Sequence, residues 1–434
     1  MAEIKEGFNV RLNILKSPAQ QHANATKVII VGAGPAGLLI ALMLAQKGIP
    51  ATILEKGHEI DRNPRASFYS SPTIHELRRA GLMEDIMKNA FVPDGVSWRV
   101  LEKEPGGGDK TFAEVCRLKA DNPPGGETNI SLPLDELLPL MADHLARHSS
   151  GKVLLSHEVL AIGQDADKAW ADVKTPQGEK RFEADYIVGC DGAPSKVRRE
   201  LFGNEFPGFT WDKQIVYYPK FKEYNWTSST FMIHPDHFPM IAQLANDGLL
   251  RITYGEDAGL TREQMFERLP WKFKQFVPGA PEPDEYKVVN FSPYKIHQRC
   301  AEKFRVGRVC LAADAAHVCN PFGGMGLTGG LVDAGNLFDC LYGIATGQLD
   351  DSILDKYSEI RIQKYNDIIN PISSSNIRRV WDPSPEAIKA DPFFQMVERA
   401  GKDEEFAEEM KKGLLAVRHD FTQYYKTPAV QNGA

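Results

Sequence analysis

The chain has 434 residues, which is enough for two or three domains, and its 42% hydrophobic and 25% charged residues are ordinary for a globular protein. Its formal net charge of −7 gives no electrostatic support to a nucleic-acid partner. No apolar run approaches the roughly 20 residues that a transmembrane helix needs, so we expect no transmembrane segment.

The six cysteines are spread along the chain without C-x-x-C spacing, which argues against a metal site and against a redox-active dithiol. They are typical of small buried residues in a reducing compartment, and we therefore expect a cytoplasmic location. Residues 1–26 are of mixed polarity and lack the apolar segment of a secretory signal. We expect them to form an irregular N-terminal leader.

In chain order, the first predicted elements are a strand at Lys27–Val31, a helix over Leu38–Gln46 and a strand at Ile49–Leu54. A strand–helix–strand unit of this length implies a parallel sheet with a right-handed crossover. A short helix is predicted next, over Pro72–Ala80, and it ends at Gly81.

The next predicted elements are strands, with one helix among them: strands at Thr111–Leu118, Val153–Ile162, Ala169–Lys174 and Lys180–Val188, and a helix over Leu134–His148. From about residue 205 to 298 the composition changes to alternating strands rich in aromatics and prolines, without helical crossovers. This change predicts an antiparallel layer inserted between parts of the first domain.

The last part of the chain returns to the pattern of the beginning. Residues Arg308–Ala313 are predicted to form a buried strand, and a long helix is predicted to begin near Gly326. Charged amphipathic helices are predicted beyond Leu349.

The first glycine turn connects the first strand to the first helix in the pattern Gly32-x-Gly34-x-x-Gly37. The first glycine permits a tight turn, the second lets the backbone approach a pyrophosphate, and the third allows close helix–strand packing. Glu55 ends the second strand about 20 residues later, where a carboxylate accepts hydrogen bonds from a ribose diol. The complete context predicts a dinucleotide site that prefers FAD or NAD to a 2′-phosphorylated nucleotide.

Three further charged residues are candidates for the same site. Asp191 and Asp314 each follow a buried strand, and ligands of open α/β sheets bind beyond the carboxyl ends of strands. Asp191 is equally well placed to cap the helix that follows it. Arg65 precedes the second helix and is either a solvated loop residue or a cation aimed at a pyrophosphate or a nicotinamide nucleotide.

Residues 312–330, AADAAHVCNPFGGMGLTGG, contain a second literal match to the glycine pattern at Gly324, Gly326 and Gly329. This match follows a proline-containing loop instead of a strand, and no acid-tipped strand comes about 20 residues later. It is therefore weak as an independent nucleotide site. Its glycines instead suit a close approach of backbone N–H groups to a flat ligand at the start of a helix.

Four segments in this order resemble those of the class A flavoprotein monooxygenases, the p-hydroxybenzoate hydroxylase-like family. They are VIIVGAGPAGLLIALMLAQKGIPATILEK, PRASFYSSPTIHELRRAGL, CDGAPSKVRREL and HQRCAEKFRVGRVCLAADAAHVCNPFGGMGLTGGLVDAGNLFDCL. The segment LDKYSEIRIQKYNDII also resembles the helix that closes the family's domain. The resemblance runs from Lys27 to about Arg379.

The resemblance implies an α/β fold with a Rossmann-type FAD-binding domain, whose sheet is mostly parallel, an inserted antiparallel-sheet substrate domain and C-terminal helices. We expect the FAD-binding domain to comprise residues 27–95, 131–204 and 299–350. The substrate domain is expected to comprise residues 96–130 and 205–298, and the helical region residues 351–434.

The resemblance also implies non-covalent FAD, with NADPH or NADH as co-substrate and O₂. Glu55 would hold the adenosine ribose, Arg65 and Asp191 would serve FAD and the nicotinamide nucleotide together, and Asp314 would bind the ribityl or pyrophosphate portion. Pro321 and residues 323–328 would line the isoalloxazine. The expected FAD site comprises Gly32, Gly34, Pro35, Ala36, Gly37, Glu55, Lys56, Arg65, Ala66, Asp191, Asp314, Pro321, Gly324, Gly326, Leu327 and Thr328.

In this family NAD(P)H reduces FAD, and a C4a-hydroperoxyflavin formed with O₂ transfers one oxygen atom to an electron-rich aromatic or conjugated ring. The resemblance thus implies a FAD-dependent monooxygenase that hydroxylates or epoxidises a small molecule, with secondary metabolism as one setting. A FAD-dependent reductase or oxidase that does not oxygenate its substrate is the alternative. The expected assembly is a monomer or a homodimer.

The substrate pocket is expected between the antiparallel layer and the flavin. Candidate wall residues are Tyr217, Met232, His234, Arg251, Thr253 and His297, with Pro321 above the ring. Strand alternation places Met232 with His234 on one face, and it likewise places Arg251 with Thr253. Polar groups in such a pocket orient or deprotonate a phenol, so the candidates for catalysis are Arg65, His234, Arg251, His297 and Pro321.

Three positions depart from the family pattern. Ala313 stands where the family usually has glycine, Thr328 where it usually has asparagine, and Leu134 where a polar residue usually starts a helix. The alanine is expected to be tolerated if its φ is negative. Leu134 removes one expected contact, so we expect FAD to be held somewhat more loosely.

Overall fold

A computed structural model describes residues 26–63, 66–102, 111–119, 129–204, 213–257, 259–292 and 297–426. The predicted leader, apart from residue 26, and the candidate Arg65 lie outside these described residues.

Twenty strands lie within the described residues. In chain order they are β1 (Val28–Val31), β2 (Ala51–Leu54), β3 (Phe68–Tyr69), β4 (Gly95–Glu102), β5 (Thr111–Lys119), β6 (Ile130–Ser131), β7 (Gly151–Leu154), β8 (Glu158–Gln164), β9 (Ala169–Thr175), β10 (Gly178–Ala184), β11 (Tyr186–Gly189), β12 (Lys213–Tyr217), β13 (Ser229–Ile233), β14 (Met240–Gln243), β15 (Leu249–Thr253), β16 (Lys287–Ser292), β17 (Arg299–Cys300), β18 (Arg305–Val306), β19 (Val309–Leu311) and β20 (His317–Val318).

The same part of the chain contains twelve α-helices. They are α1 (Pro35–Gln46), α2 (Ser71–Arg79), α3 (Met83–Asn89), α4 (Leu134–Ala146), α5 (Lys196–Phe202), α6 (Arg262–Phe276), α7 (Met325–Ala345), α8 (Ile353–Lys364), α9 (Asn370–Arg379), α10 (Pro385–Ala390), α11 (Pro392–Ala400) and α12 (Glu404–Leu415). A π-helical turn, Tyr365–Ile369, joins α8 to α9.

The predicted strand–helix–strand unit lies at the centre of a six-stranded sheet with the order β18-β19-β11-β1-β2-β7. All neighbours in this sheet are parallel except the edge strand β18. β1 is buried along its whole length, as its β-branched residues favour in a strand covered on both faces. The predicted α/β fold with a mostly parallel sheet is confirmed. Because β1, β11 and β19 are adjacent and parallel, the loops that follow them meet at one edge of the sheet.

α1 covers this sheet and packs against α4 and α7. Its residues Ala36–Ala45 are all buried, so the helix is apolar around most of its circumference. α4 begins at Leu134, whose side chain is buried in the same core. The apolar side chain at this position thus contributes to packing.

A three-stranded antiparallel sheet, β8–β9–β10, lies between β7 and β11 in the chain. Two strands that were each predicted as continuous are therefore interrupted. The chain turns between β7 and β8 at Ser156, whose φ is +56°, and the backbone N–H of Ser156 is hydrogen bonded to the carbonyl of Gly57. The chain leaves β10 for β11 at Asp185, which is hydrogen bonded to the backbone of Lys27. Both interruptions depend on long-range contacts.

A second, seven-stranded sheet has the order β16-β12-β15-β14-β13-β4-β5. Its neighbours are antiparallel except for β13 and β4. The predicted antiparallel layer is thus confirmed, but it contains a helix, α6, that covers one face of the sheet. α6 starts at a capping box in which Thr261 and Gln264 each bond the backbone of the other.

The C-terminal helices pack against the other face of this sheet and against α7, which confirms the predicted helical C-terminal part. Ile377 of α9 and Phe394 of α11 lie in one apolar cluster with Trp98 of β4. Among the described residues, no helix is both long and apolar enough to cross a membrane.

Candidate active site

The first glycine turn has the geometry that its sequence predicts. Gly32 has a φ of +100°, and a Cβ there would lie 2.6 Å from the carbonyl oxygen of Cys190. A Cβ on Gly37 would lie 2.2 Å from the carbonyl oxygen of Gly32, so both positions require glycine. A Cβ on Gly34 would meet nothing within 4 Å. The turn therefore leaves open space at Gly34, where α1 begins and its first N–H groups lack intrahelical partners.

Glu55 braces this turn from the end of β2. Its Oε2 accepts a hydrogen bond of 2.8 Å from the N–H of Ala33, and its Oε1 accepts one of 2.7 Å from the N–H of Gly57. A carboxylate has about four acceptor sites, so these two bonds leave capacity for a ribose diol. The neighbouring candidates Lys56 and Pro35 are exposed and half-buried, and Ala36 is buried in α1.

Asp191 caps the start of α5. Its Oδ1 accepts a 2.5 Å hydrogen bond from the Ser195 hydroxyl, and its Oδ2 accepts bonds of 2.6 Å and 3.1 Å from the N–H groups of Lys196 and Val197. These contacts cap the start of the helix, as the second alternative proposed, although the N-cap residue itself is Ser195. They hold the loop after β11 next to the glycine turn, because β11 is adjacent to β1.

Arg198, which was not among the residues predicted for the site, joins the loops that follow β11 and β19. Its guanidinium donates a 2.8 Å hydrogen bond to the carbonyl of Ala193 and a 3.1 Å bond to the carbonyl of Ala315. The side chain is only 4% exposed, and burial lowers the pKa of its guanidinium. The two loops with candidate acids are thus fixed to each other.

Asp314 is exposed beyond the end of β19, on the edge of the sheet that carries the glycine turn. Ala313, before it, has a φ of +56°. The condition under which an alanine was expected to be tolerated, a negative φ, is therefore not met, because the chain turns here in the left-handed conformation that glycine adopts without strain.

The backbone N–H of Ala313 donates a 2.9 Å hydrogen bond to Oδ2 of Asp333 on α7. The same oxygen is 2.8 Å from Nε2 of His317, and the other carboxylate oxygen accepts a 2.6 Å bond from Nε of Arg361. Burial alone would raise the pKa of Asp333, but the interactions with His317 and Arg361 outweigh it and hold that pKa below its usual value. Asp333 is thus a buried carboxylate that stays ionised.

The late glycine run forms the start of α7, one residue before its predicted beginning. Gly324 has a φ of +63° and is the N-cap, without a side-chain cap. A Cβ on Gly326 would meet only Sγ of Cys319, at 3.8 Å. The first N–H groups of α7, including that of the half-buried Leu327, therefore lie beside open space. Burial raises the pKa of Cys319 to about 12, so its thiol is protonated at neutral pH.

A polar network holds the turn that contains Pro321. Oδ1 of Asn320 accepts a 3.1 Å bond from the N–H of Phe322, and Oε1 of Gln298 accepts a 3.0 Å bond from the N–H of Asn320. Gln298 also donates a 2.8 Å bond to the hydroxyl of Ser373 on α9. The half-buried neighbour His297 was a candidate from the sequence, but Gln298 was not, because no local pattern signals it.

The two faces of the seven-stranded sheet have different neighbours, which decides the placement of Met232. Met232 is fully buried in the cluster under α6. Ile233, next to it, lies in the cluster that contains Phe322. Because successive residues of a strand point to opposite faces, Met232 faces away from the Pro321 turn. Met232 is therefore a core residue and does not line the expected pocket.

His234 follows β13 and holds a turn. Its Nδ1 accepts hydrogen bonds of 3.0 Å and 3.1 Å from the N–H groups of Asp236 and His237. Its ring is stacked on that of His237 with a centroid distance of 4.4 Å. These contacts account for the histidine as a structural residue.

Thr253 is part of a row that crosses four strands on the face toward the Pro321 turn. Phe231 is opposite Trp98 and Met240, and Met240 is opposite Thr253. The rings of Phe231 and Phe322 are 5.9 Å apart, so this row packs against the turn. Thr253 is 1% exposed, and its hydroxyl has no hydrogen-bond partner among the described residues.

Arg251 lies on the same face, in the neighbouring row, and is 8% exposed. The half-buried Tyr217 shares this face, because Val216 beside it packs under α6. The face thus combines an apolar wall with a cation and a buried hydroxyl group. Among the described residues, no group of three His, Cys, Asp or Glu side chains is placed to hold a metal ion.

Comparisons with known proteins give a consistent result. A family model described as a FAD binding domain matches residues 25–370. The para-nitrophenol 4-monooxygenase of Pseudomonas sp. (strain WBC-3) is 34% identical over 393 residues, which cover 87% of this chain and 92% of that protein. The 6-hydroxy-3-succinoylpyridine 3-monooxygenase of Pseudomonas putida (strain DSM 28022 / S16) is 33% identical over 374 residues, covering 84% and 91%.

A solved structure, that of p-nitrophenol 4-monooxygenase from Pseudomonas putida DLL-E4, superimposes on this chain with a TM-score of 0.81 at 31% identity. The superposition covers 91% of this chain and 98% of that one. The similarity therefore includes both sheets.

Proposed function

The chain belongs to the class A flavin-dependent aromatic monooxygenases, and on that premise we propose that its substrate is a hydroxylated aromatic ring bound between the seven-stranded sheet and the Pro321 turn. As in its relatives, the reaction is FAD-dependent, consumes NAD(P)H and O₂, and inserts oxygen into an aromatic substrate. The observation that carries the proposal is the buried hydroxyl of Thr253, which has no partner among the described residues and faces that turn.

The described residues fit FAD in two places that lie at one edge of the parallel sheet. The open space at Gly34 and the carboxylate of Glu55 suit the pyrophosphate and the adenosine ribose. The start of α7, which has a positive dipole end and no side-chain cap, suits the isoalloxazine. When bound, FAD supplies the redox and oxygen-transfer chemistry. Asp314 extends from the same edge, and we assign it to the portion of FAD between the two places.

The protein's own contribution is to bind and orient the substrate and to exclude water. Phe231, Met240 and Phe322 form an apolar wall on which an aromatic ring can pack. A substrate hydroxyl that pairs with Thr253 would remove the cost of leaving that group buried and unbonded. The packing of Phe322 against Phe231 within this wall helps to exclude water.

Arg251 adds a positive charge beside that wall. A cation at this place favours the ionised form of a phenol, which is more electron-rich, or pairs with an anionic substituent on the ring. The names of the two relatives give a nitrophenol and a hydroxypyridine with a succinoyl group, which supports a hydroxylated ring with a second polar substituent. We therefore propose this substrate class.

The proposal is tested with the purified holoenzyme and a panel of substituted phenols, each paired with the analogue that lacks the hydroxyl. We expect the hydroxylated members to accelerate NAD(P)H oxidation by about tenfold or more over their analogues and to yield an oxygenated product by mass spectrometry. Equal rates for the two members of each pair would overturn the proposed substrate class.

A further inference from the structure

A strained residue lies immediately before the exposed carboxylate at the edge of the parallel sheet. Ala313 has a φ of +56°, which is unfavourable for a residue with a Cβ and without a side-chain group that bonds its own backbone. Such a conformation persists only where the surrounding structure imposes it. Asp314 follows directly, so the conformation of Ala313 sets the direction in which Asp314 leaves the strand.

Two contacts from α7 impose this conformation. The N–H of Ala313 donates its 2.9 Å hydrogen bond to Asp333, which is fully buried. A Cβ added to Gly330 would lie 2.7 Å from the Cβ of Ala313. Gly330 therefore leaves the space that the methyl group occupies, and Asp333 supplies the acceptor.

The carboxylate of Asp333 is itself held from two sides. Nε2 of His317 approaches one oxygen at 2.8 Å, and Nε of Arg361 donates a 2.6 Å bond to the other. Arg361 is fully buried and donates another 2.6 Å bond to the carbonyl of Val417, near the end of the described chain. The carboxylate that accepts the bond from Ala313 is thus fixed by His317 and by Arg361 of α8, and Arg361 is in turn held by the C-terminal part of the chain.

We propose that Asp333 is a positioning residue for the cofactor: it holds Ala313 in the left-handed conformation and thereby directs Asp314 toward FAD. This inference rests on the proposed placement of Asp314 against FAD. Asp333 itself does not touch the cofactor in this account. The hydrogen bond from Ala313 to Asp333 stabilises a backbone conformation that a glycine at position 313 would adopt without such a contact.

The test is a double-mutant cycle of Asp333→Asn and Ala313→Gly, read by FAD affinity. Asparagine keeps the size of the side chain but has one acceptor oxygen, and the charged Arg361 forms the stronger bond with it. The N–H of Ala313 then faces an amide N–H₂ group. We expect Asp333→Asn to weaken FAD binding by about tenfold, measured as the fluorescence of flavin released when the holoenzyme is diluted. With glycine at position 313 the loss should be about threefold or less, because glycine adopts the conformation unaided.

Asp339→Asn is the matched control. Asp339 is on α7 as well, is 4% exposed, and is paired with the guanidinium of Arg79, but it does not contact Ala313. We expect Asp339→Asn to change FAD affinity by less than about threefold, although it also breaks a buried ion pair. Equal losses for the two substitutions, or no rescue by Ala313→Gly, would overturn the proposal.

Two further measurements distinguish a failure of the positioning role of Asp333 from a failure of the proposed placement of Asp314. Asp314→Asn tests the assignment of Asp314 to FAD, and unchanged FAD affinity in this variant would show that the assignment is wrong. If Asp314→Asn weakens FAD binding but Asp333→Asn does not, only the positioning role of Asp333 is refuted. If Asp333→Asn does not fold, hydrogen exchange of the Ala313 amide in the unsubstituted holoenzyme tests whether Asp333 holds that amide. We expect exchange as slow as in the interior of α7, and the rapid exchange of an exposed loop amide would contradict the proposal.

Discussion

The hydroxyl groups of Ser70 and Thr328 lie 2.9 Å apart, which connects the start of α2 to the first turn of α7. Thr328 is 2% exposed and also donates a 3.0 Å bond to the carbonyl of Gly324. Through these two bonds the Thr328 hydroxyl holds the start of α7 to the start of α2.

We therefore expect Thr328→Val to destabilise the protein by about 1 kcal/mol, since it leaves Ser70 and the Gly324 carbonyl without this partner. The measurement is the free energy of unfolding in urea. Thr328→Ser keeps the hydroxyl and is the control. Equal stabilities of the valine and serine variants would show that the hydrogen bonds contribute nothing.

In our proposal the bound FAD requires a glycine at position 34, whereas the fold does not. Its φ of −74° is open to any residue, and a Cβ there meets no protein atom within 4 Å. We expect Gly34→Ala to change the free energy of unfolding of the flavin-free protein by less than about 1 kcal/mol. The same methyl group would occupy the space that we propose for the pyrophosphate, so FAD affinity should fall about tenfold or more.

Gly37→Ala is the contrasting variant for this prediction. Its Cβ would lie 2.2 Å from the carbonyl oxygen of Gly32, so it should destabilise the fold itself. FAD affinity and unfolding are measured for both variants. Unchanged FAD affinity in Gly34→Ala would remove this turn from the cofactor site.

Thr253→Val exchanges a buried hydroxyl without a partner among the described residues for a methyl group of the same size. We expect the protein to become more stable by up to about 1 kcal/mol, because the cost of the unbonded group disappears. The kcat/KM for a phenolic substrate should fall about tenfold, since the substrate loses its partner. Thr253→Ser should retain most of the activity. A valine variant with full kcat/KM would exclude Thr253 from substrate binding.

The buried carboxyl group of Glu76 should make the stability of the protein depend on pH. It is 1% exposed, beside Arg79 and Asp339, and burial raises its pKa from 4.5 to about 7. Between these two values the folded protein binds more protons than the unfolded chain, so stability falls as pH rises through this window. In Glu76→Gln this loss should disappear, which makes the variant more stable than the wild type at pH 8. Thermal unfolding at pH 5 and pH 8 measures it, and identical pH profiles would contradict the prediction.

The sequence was most informative where structure depends on neighbours in the chain. The Gly32 turn, the order of the strand–helix–strand unit and the start of α7 follow from glycines and apolar runs, and the structure has them within a few residues. For α6 the capping residues Thr261 and Gln264 were a local signal, but this segment lies within residues 205–298, where aromatics, prolines and alternating strands indicated a layer without helical crossovers. This helix was missed for that reason.

The contacts that orient the site come from distant residues, and a single sequence does not reveal them. Asp333 and Ala313 are far apart in the chain, as are Arg198 and the carbonyl of Ala315. Strand alternation gave the pairing of Arg251 with Thr253, but it does not say which face meets the flavin. That choice depends on where α6 packs, which is why Met232 was assigned to the pocket.

The most direct test of the account is the origin of the oxygen atom in the product. The holoenzyme is supplied with NAD(P)H, a phenolic substrate from the panel and ¹⁸O₂ in unlabelled water, and the product is analysed by mass spectrometry. The account predicts one ¹⁸O atom per molecule of aromatic product. NAD(P)H oxidation with a product that carries no ¹⁸O would contradict it and would indicate a reductase or oxidase that does not oxygenate its substrate.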